Sequence, residues 1–297
     1  MTKAQQIDLF GEAAEEKAAV PIINPDGSVK GSKVIYAPKG PAREYAALAG
    51  SLYNGCGHGC DYPCYVHAGG FTRLTREQFD AGATLKPGVI ENLRKDAAKY
   101  EAAGITEQVL FSFSTDPYHA GDTRPTREAF EILIEHGLAF GPLTKGGMRP
   151  VRDLDLFRPD RDFFAVTLIS LNDDFCRRWE PKAPLPASRI AALKTFFEAG
   201  IFTWESIEPV IDPEMAFAVV EETHGFVDHY KIGKIHYQPK LGQAINWRVF
   251  TLRMVDLLAR HNKTAYFKKD LQPFLPAGYP NPMRIRQHRA GPRRPPR

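Results

Sequence analysis

The chain has 297 residues, 43% hydrophobic and 25% charged, the balance of a soluble globular protein with length for one large domain or two small ones. No apolar run approaches the roughly 20 residues of a membrane span, and the N-terminus, MTKAQQIDLFGEAAEEK, has no apolar signal core. A membrane-spanning or secreted protein is set aside on these grounds, and a cytoplasmic location is expected. The formal charge is +4, but MRIRQHRAGPRRPPR (283–297) holds six Arg and no acid, so the remaining body is nearly neutral.

Residues 1–30, rich in Ala, Glu, Lys and Gly, read as a flexible arm; residues 31–270 form the folded body, and 271–297 a basic Pro- and Arg-rich tail. ALAGSLYN (47–54) reads as a strand entering the cysteine-rich GCGHGCDYPCYV (55–66). VIENLRKDAAKYEAAG (89–104) has helical spacing and ends on Gly. EQVLFSFSTDPY (107–118) is strand-like with a polar end. TREAFEILIEHG (126–137) predicts a helix with a Thr cap and a terminal Gly. AFGPLTKGG predicts a short strand and loop, RDLDLF a short helix, and DFFAVTLISLN (162–172) a buried strand. Three more pairs follow: helix 186–200 after that strand, strand 201–211 with helix 213–225, and strand 229–238 with helix 246–262.

Strand–helix alternation of this kind predicts a parallel sheet with helical crossovers. About six units point to a partial (β/α)6 TIM-like barrel, an α/β fold whose chemistry gathers at the C-terminal ends of the strands. The cysteine loop, STDPY, TKGG, SLND and IEP all fall at those ends, so one mouth collects the polar motifs. No internal repeat and no second domain are visible.

Three of the four cysteines, Cys56, Cys60 and Cys64, lie in one short glycine-rich loop. In a reducing compartment such clustering indicates metal or catalysis, not disulfides. Structural zinc and four-iron clusters both take four ligands, so three thiolates leave one corner open for a substrate or cofactor. Gly55, Gly57 and Gly59 let the backbone wrap tightly around such a centre. Zinc completed by His58 or His67 is the alternative ligand set.

GPAREYAALAGSLYNGCGHGCDYPCYV resembles the radical S-adenosylmethionine (SAM) superfamily, in the branch related to spore photoproduct lyase. The resemblance covers roughly residues 33–240 and continues, in order, through STDPYHAGDTRPTREAFEIL, LTKGGMRPVRDLDLF, LISLNDDFCRRWEPKAPLPASRIAALKTFFEAGI and SIEPVI. It implies a [4Fe-4S] cluster on Cys56, Cys60 and Cys64, whose open iron chelates SAM. Reductive cleavage of SAM would then release a 5′-deoxyadenosyl radical that abstracts hydrogen from a substrate. The spacing departs from the pattern: C-x3-C-x3-C stands where the family has C-x3-C-x2-C, with Pro63 as the extra residue. One residue adds up to about 3.5 Å of reach, which a local bulge can absorb. The aromatic position that meets adenine therefore falls on Tyr62 or Pro63.

The same resemblance implies that Ser112, Ser114, Thr115 and Asp116 meet the SAM amino group and Lys145 its carboxylate. A small hydroxyl or carboxylate suits an amino group, although the same residues also make turns before a proline. Ser170 and Asn172 are candidates for the ribose hydroxyls, and Glu208 for the neighbourhood of adenine. Arg178 and Glu180, in RRWEP, form an ion pair or face the substrate. Cys176 and Tyr118 are candidate hydrogen donors to a substrate radical, although a lone Cys is more often a small buried hydrophobe.

In the arm, QIDLF (Gln6 to Phe10) resembles the pentapeptide by which DNA polymerases and repair proteins dock on the sliding clamp, with Leu9 and Phe10 as apolar anchors. With the basic tail it makes DNA and the clamp expected partners, beside a reducing electron donor and with no membrane. Nucleic acid leads as the substrate, in repair or modification. The rival readings are a non-catalytic iron–sulfur or zinc binding module, and a radical SAM enzyme acting on a protein or small molecule.

Overall fold

The computed structural model describes residues 21–283. The QIDLF segment and the six Arg of the tail lie outside the described residues. From residue 21 the chain makes a turn closed by a bridge between Ile23 and Val29. It enters the edge strand β1 (Ile35–Tyr36), which pairs antiparallel with β2 (Leu48–Gly50). Short strands β3 (Tyr53–Asn54) and β4 (Thr84–Leu85) form a separate antiparallel pair that frames the cysteine loop. Between them lie two short helices, α1 (Tyr65–Ala68) and α2 (Arg76–Asp80).

The alternation then sets in. Helix α3 (Val89–Ala102) leads to β5 (Val109–Phe111), α4 (Arg124–Glu135) to β6 (Phe140–Thr144), and a 3-10 turn (Arg149–Leu156) to β7 (Phe163–Thr167). Helices α5 (Asp173–Trp179) and α6 (Pro186–Glu198) precede β8 (Phe202–Val210), and α7 (Pro213–Thr223) precedes β9 (His229–Lys234). Helices α8 (Pro239–Ala244) and α9 (Trp247–Arg260) precede β10 (Thr264–Phe267). The sheet runs β1-β2-β5-β6-β7-β8-β9-β10, and every pair beyond β1 is parallel. This is the expected partial barrel with one further strand. Strand β10 is the seventh parallel strand; four residues between polar flanks, HNK and KKD, gave no periodic signal, yet Ala265, Tyr266 and Phe267 are buried.

Strand alternation builds two apolar layers. Val109, Phe111, Phe164 and Val166 face the helices, where Phe164 stacks on Phe196 at 3.9 Å and Phe130 on Phe140 at 4.2 Å. On the other sheet face Leu110, Leu143, Phe163, Ala165 and Trp204 form a smaller cluster lining the barrel interior. Two helix starts are closed by side chains that precede them: Asp212 accepts from Glu214 N at 2.8 Å, and Asn246 from Val249 N at 3.1 Å. The helix expected from Thr126 begins instead at Arg124, because Pro125 fits its first turn. Thr126 is no cap; its hydroxyl donates to Pro117 O at 2.7 Å.

Residues 21–30, assigned to the arm by composition, are tied to the body. Val29 is buried and its N–H donates to Tyr100 Oη at 3.1 Å. At the other end, Asn281 brackets Phe267 with two backbone hydrogen bonds of 2.7 and 2.9 Å. No helix among the described residues is long and apolar enough to cross a membrane. The strongest tie is Asp96 on α3, whose buried Oδ2 accepts from the N–H groups of Lys33, Val34 and Ile35 at 2.8, 2.6 and 3.0 Å. Asp96→Ala is expected to strip all three donors of their acceptor and lower unfolding stability by about 3 kcal/mol in urea titration; an unchanged midpoint would mean that the edge strand is held by β2 alone.

Candidate active site

The C-terminal ends of the parallel strands meet at one mouth, and the cysteine loop (55–64) covers it. Gly55 starts the loop at φ +79°, where a Cβ would also collide with the Gly82 carbonyl oxygen, so glycine is required there. The loop backbone is pinned on several sides. Cys56 N and Gly57 N donate to Phe79 O at 3.0 and 3.2 Å, Asp61 N to Trp179 O at 2.8 Å, and Lys182 N to His58 O at 3.1 Å. Arg76 Nη2 donates to Cys60 O at 2.6 Å, and Thr115 Oγ1 donates to Gly55 O. Cys64 ends the loop as the N-cap of α1.

All three thiols are free and partly buried. Burial pushes the Cys56 thiol well above its ordinary range and Cys60 up to about 11. A bare thiolate is therefore disfavoured here, and a bound soft metal would supply the charge that deprotonates it. The histidines weighed for a zinc site are placed otherwise. His58 is buried against Asp116, Nε2 to Oδ2 2.8 Å, and His67 packs edge-on against Phe79 at 4.6 Å. Among the described residues no three His, Cys, Asp or Glu side chains are arranged around a single ion. Three free thiols on a pinned, glycine-wrapped loop fit a three-cysteine iron–sulfur site by the chemistry of the donors.

The structure brings the expected SAM-contact residues to this mouth and shows what holds each. Ser112 is half-buried at the end of β5. Phe113 follows at φ +75°, uncommon for a bulky residue, with its ring edge-on to Tyr45 at 6.0 Å. The Ser114 hydroxyl is paired with that of Ser51. Asp116 accepts from His58, Tyr118 N, Thr144 Oγ1 and Lys145 N. Burial raises its carboxyl, but the His58 imidazole and these donors outweigh that and hold it well below the usual carboxylate range.

Lys145 lies 3.7 Å from Glu180 Oε1 and 5.9 Å from the centre of the Tyr62 ring. Burial opposes its charge, but Cys60 and Glu180 keep the ammonium protonated above its ordinary range. Tyr62 donates to Glu180 at 2.6 Å. Glu180 does not pair with Arg178, which stacks on Trp179; its partner is the fully buried Arg189, Nη1 to Oε2 2.6 Å. Arg189, which no motif in the sequence singles out, also donates to the carbonyls of Pro184 and Thr167 at 2.8 and 2.9 Å.

Ser170 accepts from Asn172 N at 2.9 Å, and Asn172 Oδ1 caps α5 at Phe175 N, 2.8 Å. Glu208 is held by Lys268 Nζ at 2.8 and 2.9 Å and by the Tyr45 hydroxyl, inside the barrel. Cys176 is buried with Tyr62, Ile169, Trp179, Ile211 and Ile235, and burial pushes its thiol up to about 11. Tyr118 is fully buried and donates to Asp153 at 3.0 Å. The Arg189–Glu180 pair and the Tyr45–Glu208–Lys268 cluster are the features sequence reasoning missed. Their partners lie 9 to 163 positions apart, and only folding brings them together.

A scan against protein-family models matches none to this chain. An uncharacterized protein of Methanocaldococcus jannaschii is 26% identical over 211 residues, 68% of this chain and 74% of that protein. Among solved structures, a spore photoproduct lyase variant with dinucleoside spore photoproduct superposes with a TM-score of 0.58 at 14% identity, over 88% of this chain and 89% of that one. SuiB of Streptococcus suis bound to S-adenosylmethionine superposes with a TM-score of 0.51 at 11% identity, over 65% of this chain and 46% of that one, so this chain spans under half the length of SuiB. The fold is the radical SAM partial barrel.

The buried pair makes the mouth sensitive to mutation and acid. Arg189→Met is expected to leave Glu180 charged and under-paired and to cost about 3–5 kcal/mol in urea unfolding at neutral pH. Glu180 has a folded pKa below its ordinary 4.5, so its stabilisation is full above that value and is lost as pH falls through the lowered one. The stability gap between wild type and Glu180→Gln should therefore narrow in acid; a constant gap would show that the carboxylate charge is not what stabilises the mouth.

Proposed function

We propose that the chain is a radical SAM enzyme in which Cys56, Cys60 and Cys64 hold a [4Fe-4S] cluster. The observation that carries this is the set of three free thiols on a pinned loop over the C-terminal mouth of a radical SAM-type barrel. A [4Fe-4S] cluster held by three cysteines supplies, when bound, an open iron for the SAM amino and carboxylate groups and the electron that cleaves the sulfonium. The chain's own residues bind and shield. Lys145, kept protonated and positioned by Glu180, offers an ammonium to the carboxylate. Ser112, Ser114 and the backbone at the strand ends offer small polar contacts. Pro63 is accommodated within a loop whose flanks are hydrogen-bonded on both sides, which supports cluster binding despite the longer spacing.

Nucleic acid, in repair or modification, is the substrate class favoured by the likeness to spore photoproduct lyase holding a dinucleoside spore photoproduct. Docking on a sliding clamp through Gln6, Leu9 and Phe10, and a cytoplasmic location with a reducing partner, belong to the same reading. A peptide substrate is the second reading, favoured by the likeness to SuiB bound to its precursor peptide, TM-score 0.52 at 13% identity. Anaerobic reconstitution with iron and sulfide, reduction and addition of SAM should yield 5′-deoxyadenosine in the wild type and none in Cys64→Ala. Zinc in place of iron, or an intact cluster with SAM untouched in the presence of oligonucleotides and peptides, would sink the enzymatic reading.

A further inference from the structure

We propose that Asp116 is a positioning residue that fixes the cysteine loop against the Lys145 strand end, and that it does not itself contact SAM. The proposal rests on the reading of the loop as a cluster site.

An ionised carboxylate has two oxygens with about four lone-pair directions. In Asp116 all four are taken by the protein. Oδ1 accepts from Tyr118 N at 2.7 Å and Thr144 Oγ1 at 2.5 Å; Oδ2 accepts from Lys145 N at 2.6 Å and His58 Nε2 at 2.8 Å. A SAM ammonium could reach this carboxylate only by displacing one of these donors, each a charge-assisted bond in a nearly water-free setting. Asp116 and His58 are 6% and 3% exposed.

The donors come from three separate pieces of chain. His58 lies midway between Cys56 and Cys60; Tyr118 follows β5; Thr144 and Lys145 end β6. One side chain thus sets the height of the cysteine loop over the sheet and the place of the cation beside it. Neighbouring bonds extend the same clamp. The Thr115 hydroxyl holds the Gly55 carbonyl, and Thr144 Oγ1, having donated to Asp116, accepts from Gly146 N at 2.7 Å. His58 is a positioning residue of the same unit, acting through Asp116.

The test compares Asp116→Asn, His58→Gln and the double variant. Backbone hydrogen exchange over 55–64 is followed in the protein as isolated, without added iron. SAM binding and the SAM-induced change in the electron paramagnetic resonance signal are read on the reduced, reconstituted protein. Each single variant should speed loop exchange and weaken SAM binding by about tenfold or more, the equivalent of one charge-assisted bond. The double variant should be little worse than either single one, because both break the same contact. A merely structural role would lower the melting temperature and leave the SAM-induced signal change intact. If His58→Gln behaves as wild type in both readouts while Asp116→Asn loses SAM binding, Asp116 is a direct ligand and the proposal is overturned. Should Asp116→Asn not fold, Thr144→Val removes one bond of the clamp and must speed loop exchange alone. A wild type that takes up no cluster would defeat the proposed function, while the exchange measurement would still decide what Asp116 holds.

Discussion

Buried charge at the mouth of the sheet has to be paired, and much of the local architecture follows from that requirement. Parallel strands end together, so their polar C-terminal motifs converge in a place from which water is largely excluded. An unpaired ion there would cost several kcal/mol. Asp116 with His58, Glu180 with Arg189 and Lys145, and Glu208 with Lys268 are the solutions, and each pair joins two different segments, from 9 to 60 positions apart. On the helix-facing side of β8, Glu205 shows the opposite outcome. Among the described residues its one donor is the Thr223 hydroxyl at 2.9 Å, and burial pushes its carboxyl up to about 8, towards the neutral form.

The paired ions also explain how a short loop with three glycines can be rigid. Glycine frees the backbone to adopt φ +79°, +84° and +64° at positions 55, 57 and 59, at an entropic cost that local packing does not offset. What holds the loop is outside it: carbonyls and N–H groups of Phe79, Trp179 and Lys182, the Arg76 guanidinium, and the buried His58–Asp116 contact. The β3–β4 pair and the short helices between them are the frame for these contacts. The backbone that carries the three thiols is therefore pinned from outside the loop at Gly55, Cys56, Gly57, His58, Cys60 and Asp61.

The barrel was legible because its signals are local and periodic. Helix 89–102 follows from its spacing and terminal glycine, and the buried run 163–167 from its composition. Strand β10 escaped because four residues cannot show a period, and α5 because its caps, Asn172 and the two aspartates after it, read equally well as a turn. The cysteine triad was legible for the same local reason, whereas partners were not. Glu180 has an adjacent arginine, Arg178, and sequence proximity makes that pair attractive; burial selects Arg189 instead, because only an arginine reaching in from α6 is shielded with it. A contact set by the fold leaves no trace at the spacing of its residues.

The same distinction bears on carrying roles over by motif. Position in an ordered set of blocks assigns Asp116, Glu208, Asn172 and Lys145 to the strand ends. It does not reveal whether a side chain, once there, retains free hydrogen-bonding capacity. Asn172 accepts from a helix N–H, Glu208 is bracketed by Lys268 and Tyr45, and Asp116 has four donors. Lys145 is different: its ammonium sits 3.7 Å from Glu180, beyond hydrogen-bond distance, and its side chain is 18% exposed. Among the described residues Lys145 is thus the cation at this rim that keeps hydrogen-bonding capacity, which is what the proposed reading asks of a contact to an anionic cofactor group, whereas the Asp116 carboxylate is occupied in holding the His58 end of the thiol loop.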